Sequence, residues 1–337
     1  TEEHRANLAG IRGQLEHLLD FSAGGERSAL LVDNADWLSE YRLVDFLRDV
    51  GKHFSVNQMT QKEAVRSRIE RPEVGISFTE FSYMLLQACD FLHLFEQFGC
   101  KVQIGGSDQW GNITMGIELV RKICRGEAYG FTWPLLVSSE GRKYGKSVSG
   151  AIWLDARKTS PYALYQHFVR VADDEVGAML RFLTFVEHER LVELDTETAE
   201  HPEKRLAQQV LASEVCAFVH GPDETTRAER AAAALYSEKI SDLDEALLLD
   251  VMADAPSSTQ ARSELEGDGA ELATLLYAAG LTPSRGAARR LIGEGGAYVN
   301  NARWTDVEST VAPADLLHHR YLVLRRGRRD YHLVRFE

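Results

Sequence analysis

At 337 residues the chain can bury a sizeable core in two or three domains, and its 44% hydrophobic and 26% charged residues are those of an ordinary soluble globular protein. No apolar run approaches the ~20 residues of a membrane span, and no signal peptide is expected. The net charge of −13 argues against a general nucleic-acid coat, but Leu281 to Glu337 holds ten Arg against six Asp or Glu, so an acidic body carries a basic tail suited to a localised anionic partner.

The chain opens on Thr1 rather than Met and enters a helical pattern at once, which reads as a processed or partial N-terminus. Leu8, Ile11, Leu15, Leu18 and Leu19 predict an amphipathic helix over residues 2–20. Ala29-Leu30-Leu31-Val32, closed by Asp33-Asn34, has the pattern of a buried strand with polar groups at its end. A short helix is expected over 42–51, and Thr60-Gln61-Lys62-Glu63 reads as a capping box opening the next one. Residues 78–98 predict a long apolar helix stopped by Gly99. Lys101-Val102-Gln103-Ile104 then predicts a strand, followed by the turn Gly105-Gly106-Ser107-Asp108-Gln109 and a helix to about Arg125. Strand, glycine turn and helix make the α/β unit of a parallel sheet. Thr132 to Val137 reads as a further strand. Helical patterns fill 161–236, and residues 239–267, acidic and Ser-rich, read as a linker. Residues 269–337 predict a small α+β unit, with helices over 270–279 and 284–294 and strands near Tyr298, Tyr321 and Tyr331. Cys89, Cys100, Cys124 and Cys216 show no metal spacing and read as free thiols of a reducing cytosol.

Lys143-Tyr144-Gly145-Lys146-Ser147 puts two ammonium groups and a hydroxyl on a glycine-flanked loop, between Gly141 and Gly150. In isolation these residues also fit a solvated basic loop. Their chemistry suits adenylation, in which charge grows on pyrophosphate as a carboxylate attacks an α-phosphate; cations that meet that charge only in the transition state raise the rate. Tyr83, Gln87 and Asp90 fall at i, i+4 and i+7 on one face of an apolar helix, where a hydroxyl, an amide and a carboxylate can hold an ammonium or a phenol. A solvent-facing polar stripe is the plainer reading of the same spacing. Gln103 and the turn holding Gly106, Asp108 and Gln109 lie at the carboxyl end of a strand, the ligand edge of an open α/β sheet. Arg285, Arg289 and Arg290, with the hairpin Arg325-Arg326-Gly327-Arg328-Arg329, can follow an RNA backbone or simply form a solvated basic face.

Taken together, Gly75 to Tyr83, Gln103 to Asn112, Gly51 to Asn57 and Lys143 to Ser147 resemble bacterial tyrosyl-tRNA synthetase, a class I enzyme, and the tail is similar to that family's S4-type RNA-binding domain. The likeness covers essentially the whole chain in order. It implies that Tyr83 and Gln87 bind the amino group of tyrosine, that Asp90 accepts the phenol, and that Gln103 and Gln109 line the pocket. It further implies that Gly106 and Asp108 face the adenylate ribose, with Lys146 also contacting ATP. Lys143, Lys146 and Ser147 become the catalytic signature loop, and Phe78 lies at a homodimer interface. ATP is then a substrate, with Mg²⁺ on its phosphates and no protein-bound metal; tRNA(Tyr) is the partner and the cytoplasm the location. An apolar residue in place of Asp90 would have marked the neighbouring tryptophan-specific enzymes.

The expected fold class is α/β. Residues 1–138 form the remainder of a Rossmann-like catalytic domain, 139–160 the signature-lysine loop and connector, and 161–238 a helical anticodon-side domain. A linker over 239–267 and an S4-like α+β domain over 268–337 complete it. The family's His-x-Gly-His motif does not occur, so the expectation is a fragment of a tyrosine–tRNA ligase that does not form tyrosyl-adenylate by itself. The alternative is a non-catalytic S4-type RNA-binding or regulatory relative.

Overall fold

The computed structural model describes residues 2–22, 28–71, 75–136, 152–235, 237–267, 269–328 and 330–337. Two compact units are present, Leu19–Val148 and a second made of Thr1–Leu18 with Ser149–Glu337. The first helix, α1 (Glu2–Leu15), belongs to the second unit and buries none of its residues. It ends five residues short of the expected span, and Gly10 and Gly13 within it weaken helix propensity.

The Leu19–Val148 unit carries α2 (Ala35–Leu38), α3 (Leu43–Asp49), α4 (Val56–Thr60), α5 (Glu63–Ile69), α6 (Phe78–Phe98), β1 (Val102–Gly106), α7 (Trp110–Cys124) and β2 (Tyr129–Trp133). Helix α6 organises it. Ser77 Oγ accepts the Glu80 N–H at 3.2 Å, and the Glu80 carboxylate accepts the Ser77 N–H at 3.0 Å, a reciprocal cap. Gly99, at φ 66°, closes the other end as expected of a left-handed stop. Met84, Leu85, Ala88, Cys89, Phe91 and Leu92 are buried on α6, in one core with Met115, Leu119 and Val120 of α7. Gly116 of α7 permits that approach, since a Cβ there would sit 2.8 Å from Phe91 Cδ1. β1 and β2 pair in parallel from Val102↔Tyr129 to Gly106↔Trp133, with α7 as the crossover between them.

Three local expectations are corrected. Residues 29–32 form no strand: Leu30 is exposed, and among the described residues this sheet contains β1 and β2 alone, so the segment has no ladder to join. Thr60 does not cap α5; its hydroxyl turns back to the Asn57 carbonyl at 3.0 Å, and Lys62 occupies the cap position. The strand expected from Thr132 begins at Tyr129 and ends at Trp133, because Pro134 has no N–H to continue the ladder.

In the second unit, α8 (Pro161–Val169), α9 (Asp173–Leu183), α10 (His188–Glu200), α11 (Leu206–His220) and α12 (Pro222–Ala234) pack as helical layers. They are followed by α13 (Glu245–Val251), β3 (Ser257–Gln260), β4 (Ala270–Glu271), α14 (Leu272–Ala278), α15 (Arg285–Gly293), β5 (Ala297–Val299), β6 (Ala302–Trp304), β7 (Thr310–Val311), β8 (Tyr321–Arg326) and β9 (Asp330–Phe336). Residues 239–267 are therefore not a bare linker. Ile240, Leu243, Leu248, Val251, Met252 and Leu265 are buried, and β3 pairs in parallel with β9. The polar composition hid these few apolar anchors. The sheet runs β3-β9-β8-β5-β6, and Leu322, Leu324, Val334 and Phe336 pack on α14 and α15 through Leu272, Leu276, Ala288 and Ile292. Among the described residues no helix is long and apolar enough to cross a membrane.

Candidate active site and RNA-facing surface

Helix α6 sets Tyr83, Gln87 and Asp90 along one face, beside the buried run Met84, Leu85, Ala88 and Cys89. Tyr83 is 56% exposed, whereas Gln87 and Asp90 are half-buried. Asp90 is held by two donors from a distant part of the chain. Trp37 Nε1–H reaches Asp90 Oδ1 at 2.8 Å, and Asn34 Nδ2–H reaches Oδ2 at 3.0 Å. Each oxygen keeps a further lone pair, so the carboxylate is fixed in orientation and still able to accept a proton donor. The Trp37 ring stacks on His93 at 4.2 Å between centroids, one turn along α6. Asn34 and Trp37 were not singled out by sequence pattern. The polar pair Asp33-Asn34 marked the place, and the need of a buried indole N–H for an acceptor is the remaining clue.

At the carboxyl end of β1 the polypeptide turns through Ser107-Asp108-Gln109 into α7. Gly106 cannot carry a side chain there: a Cβ would lie 2.8 Å from both Asp108 Oδ1 and Leu135 Cδ2. Gly105 is similarly close to Gln109, at 3.1 Å. Both glycines thus have a packing reason. Gln109 Oε1 accepts from Asn112 Nδ2 at 3.2 Å, which steadies it, while Asp108 is exposed. On β1 itself, Gln103 Oε1 is buried and has no hydrogen-bond partner among the described residues. A buried acceptor of that kind is costly unless a donor meets it. Nearby, burial pushes the Tyr41 phenol up to about 12, and its partner, the Cys89 thiol, is raised by burial too, so both stay protonated.

Lys143, Lys146 and Ser147 lie outside the described residues. Among those that are described, no cluster of three or more His, Cys, Asp or Glu is placed to hold a metal ion. Phe78, at the start of α6, is 76% exposed.

The basic tail is less uniform than its sequence suggests. Arg285 and Arg290 are exposed on α15. Arg289 is exposed but paired with Glu271, its Nη2 at 2.6 Å from the carboxylate, which holds Glu271 below the usual range. Arg326 forks onto Asp330 at 2.8 and 2.5 Å and donates to the Leu281 carbonyl at 2.9 Å. Arg325 corrects the reading of an open basic hairpin. It is only 9% exposed, with its guanidinium 3.9 Å from the Tyr298 ring centre and 5.6 Å from that of Tyr331. Alternation along β8 puts it on the opposite face from Arg326, and cation–π stacking compensates its burial.

Comparisons with known proteins identify the family of the chain. The family described as tRNA synthetases class I (W and Y) matches residues 1–237, and the tyrosine–tRNA ligase SYY-like C-terminal domain matches residues 248–334. The tyrosine–tRNA ligase of Roseiflexus castenholzii is 49% identical over 334 residues, covering 99% of this chain and 78% of the relative. That of Geobacillus stearothermophilus is 47% identical, covering 97% of this chain and 76% of the relative. The chain thus spans about three quarters of the length of these relatives. A crystal structure of a C-terminally truncated mitochondrial tyrosyl-tRNA synthetase from Coccidioides posadasii superposes with a TM-score of 0.56 at 33% identity, covering 68% of each chain. The chain belongs to the tyrosine–tRNA ligase family of class I tRNA synthetases.

Proposed function

We propose that the protein serves as a tyrosine–tRNA ligase in the cytoplasm, activating L-tyrosine with ATP and passing it to tRNA(Tyr), and that its α6 face is the amino-acid site. The observation that carries the site is the Asp90 carboxylate, bonded on both oxygens by Trp37 and Asn34 yet open to a further donor. The tyrosine phenol donates to Asp90, and its ammonium donates to Tyr83 Oη and Gln87. Gln103, whose buried acceptor has no donor among the described residues, and Gln109 line the pocket. Gly106 and Asp108 face the ribose of ATP at the end of β1.

In the first step a tyrosine carboxylate oxygen attacks the α-phosphorus, the bond to pyrophosphate breaks, and the leaving group takes the electron pair. Lys143, Lys146 and Ser147 meet the charge that develops there, and Mg²⁺ enters on the ATP phosphates. In the second step a terminal ribose hydroxyl of tRNA attacks the acyl carbon and AMP departs. Catalysis is by positioning and electrostatics. A homodimer joined in part through Phe78 suits the exposure of that ring. Arg285, Arg289, Arg290 and Arg326 are the arginines that would meet RNA phosphates, while Arg325 is stacked on Tyr298 on the other face of the sheet from α15.

The test is charging of tRNA(Tyr) by the complete protein with tyrosine against phenylalanine, for the native sequence and Asp90→Ala. Tyrosine is charged selectively, and Asp90→Ala erodes the preference. Equal use of both amino acids by the native protein overturns the assignment.

A further inference from the structure

The β5–β6 connection is a two-residue turn, Asn300-Asn301, closed by the Val299↔Ala302 pair. Both residues have positive φ, 47° and 64°. A tight hairpin of this hand needs φ > 0 at both positions, which Asn and Gly tolerate best. The two side chains then do different things. Asn300 works inside its own domain, donating Nδ2–H to the Asp315 carbonyl at 2.6 Å and accepting the Val323 N–H at 3.0 Å. Asn301 reaches out. It is 4% exposed, and its Nδ2 donates to the carbonyls of Leu235 at 3.0 Å and Ser237 at 2.9 Å, with Ala234 at 3.4 Å. Carbonyls only accept, so the orientation of the amide is chemically fixed. Ala234 and Leu235 carry orphan acceptors at the end of α12 and Ser237 follows just beyond it, so the helix end is capped from a residue more than sixty positions away.

Three more bonds join the same segment to the β-rich domain. Tyr331 Oη donates to the Leu235 carbonyl at 2.7 Å. His318 Nε2 meets the Leu243 carbonyl at 2.9 Å and must carry the proton. Tyr321 Oη donates to Glu245 at 2.9 Å. Beside this join runs a groove of about 960 Å³. Lys158, His167 and Arg170 line it from the helical side, Asp250 from α13, and Arg328 and Tyr331 from the β8–β9 hairpin. Leu235 and Tyr331, bonded to each other, are both part of its wall.

We propose that Asn301, seconded by Tyr331, is a positioning residue for RNA binding: it latches the β-rich domain to the end of α12 and so fixes the width of the groove between Lys158 and Arg170 on the helical side and Arg328 on the hairpin. The inference rests on the tRNA reading above. A pre-set groove spares RNA the entropic cost of ordering two loosely joined domains. Its contribution therefore appears in affinity, without any contact between Asn301 and RNA.

The backbone supplies a clean test. Glycine suits the turn as well as asparagine, so Asn301→Gly keeps the hairpin and removes the latch. In the full chain without RNA, Asn301→Gly speeds amide exchange across residues 235–245 about tenfold and leaves β8 and β9 unchanged. The same variant raises Kd for tRNA(Tyr) about tenfold, with the salt dependence unaltered because no phosphate contact is lost. Tyr331→Phe moves both readouts the same way, about threefold. Native exchange at 235–245, or faster exchange with an unchanged Kd, overturns the proposal. Failure of the native chain to prefer tRNA(Tyr) over other tRNAs instead refutes the ligase reading, and with it the RNA role of the groove.

Discussion

Trp37 donates its indole N–H to Asp90 across a sequence separation of 53 residues, at 2.8 Å, while its ring lies flat on His93. The two contacts make Trp37 a splint. The stack fixes the plane of the indole, and the hydrogen bond transmits that plane to one carboxylate oxygen. Asn34 fixes the other at 3.0 Å. A carboxylate that cannot rotate presents its remaining lone pairs in one direction, which is what selection of a phenol requires.

Replacing Trp37 by Phe keeps an aromatic face against His93 and deletes only the donor. A hydrogen bond to a charged acceptor contributes on the order of 1.5–3 kcal/mol, and the half-buried site argues for the lower end. The expected result is a fall of about tenfold in kcat/KM for tyrosine, with far less change for phenylalanine, which does not use Asp90. Parallel measurements of kcat/KM for both amino acids check this. An equal loss for the two would assign Trp37 to packing alone.

Gly116 is expected to be intolerant of alanine even though alanine favours helices by about 1 kcal/mol. Its added Cβ would lie 2.8 Å from Phe91 Cδ1 and 3.0 Å from Phe91 Cβ, and Phe91 is fully buried between α6 and α7. Overpacking of this kind costs about 1–3 kcal/mol. Gly116→Ala should therefore lower the denaturant midpoint on balance. Gly13→Ala on α1, where nothing lies within 4 Å of the new atom, should leave it level or raise it.

Loss of the Lys146 ammonium should slow adenylate formation far more than it weakens tyrosine binding. In the proposed role its cation meets charge that exists only in the transition state. Single-turnover rates for Lys146→Ala in the complete protein, set beside its tyrosine affinity, separate the two. A defect confined to tyrosine affinity would remove Lys146 from the catalytic set.

What the sequence made legible was local. α6 is bounded by a capping hydroxyl and a glycine, so its 21 residues were readable to the residue. The i, i+4, i+7 face of Tyr83, Gln87 and Asp90 follows from helix geometry alone. What stayed hidden depends on long-range pairing. Nothing in the spacing links Asn34 and Trp37 to Asp90, and no periodicity reveals that Asn301 caps α12. Residues 239–267 looked like a linker because a few buried side chains, such as Ile240 and Leu248, do not change a polar composition. Arg325 looked solvated because charge density along a sequence is blind to which face of a strand each arginine occupies. The strand expected at 29–32 failed for the converse reason: an apolar run is a strand only where a neighbouring backbone completes its ladder.

Acid should destabilise the second unit through buried and half-buried histidines. Burial holds His332, His167 and His220 below their ordinary value of 6.5. The sign follows from proton binding. Below pH 6.5 the unfolded chain takes up protons that the folded chain refuses, so stability is complete above that value and drains away as the pH falls toward the folded pKa values. Asp250 works in the opposite sense, because burial raises its carboxyl and the folded state keeps that proton longer. Its window runs upward from 3.8 to the raised folded value, and within it a fall in pH favours the folded state. His332 is the most informative of the three. It sits on β9 with its Nε2 2.8 Å from Ser258 Oγ on β3, so charging it strains the parallel pairing that ties residues 257–260 into the sheet. The urea midpoint should therefore drop between pH 7.5 and 5.5 in the native protein. In His332→Gln, which keeps a polar group for Ser258 but cannot titrate, the drop should be shallower whatever the absolute stability. An identical slope in the two proteins would show that His332 binds its proton equally well folded and unfolded and would remove it from the acid response.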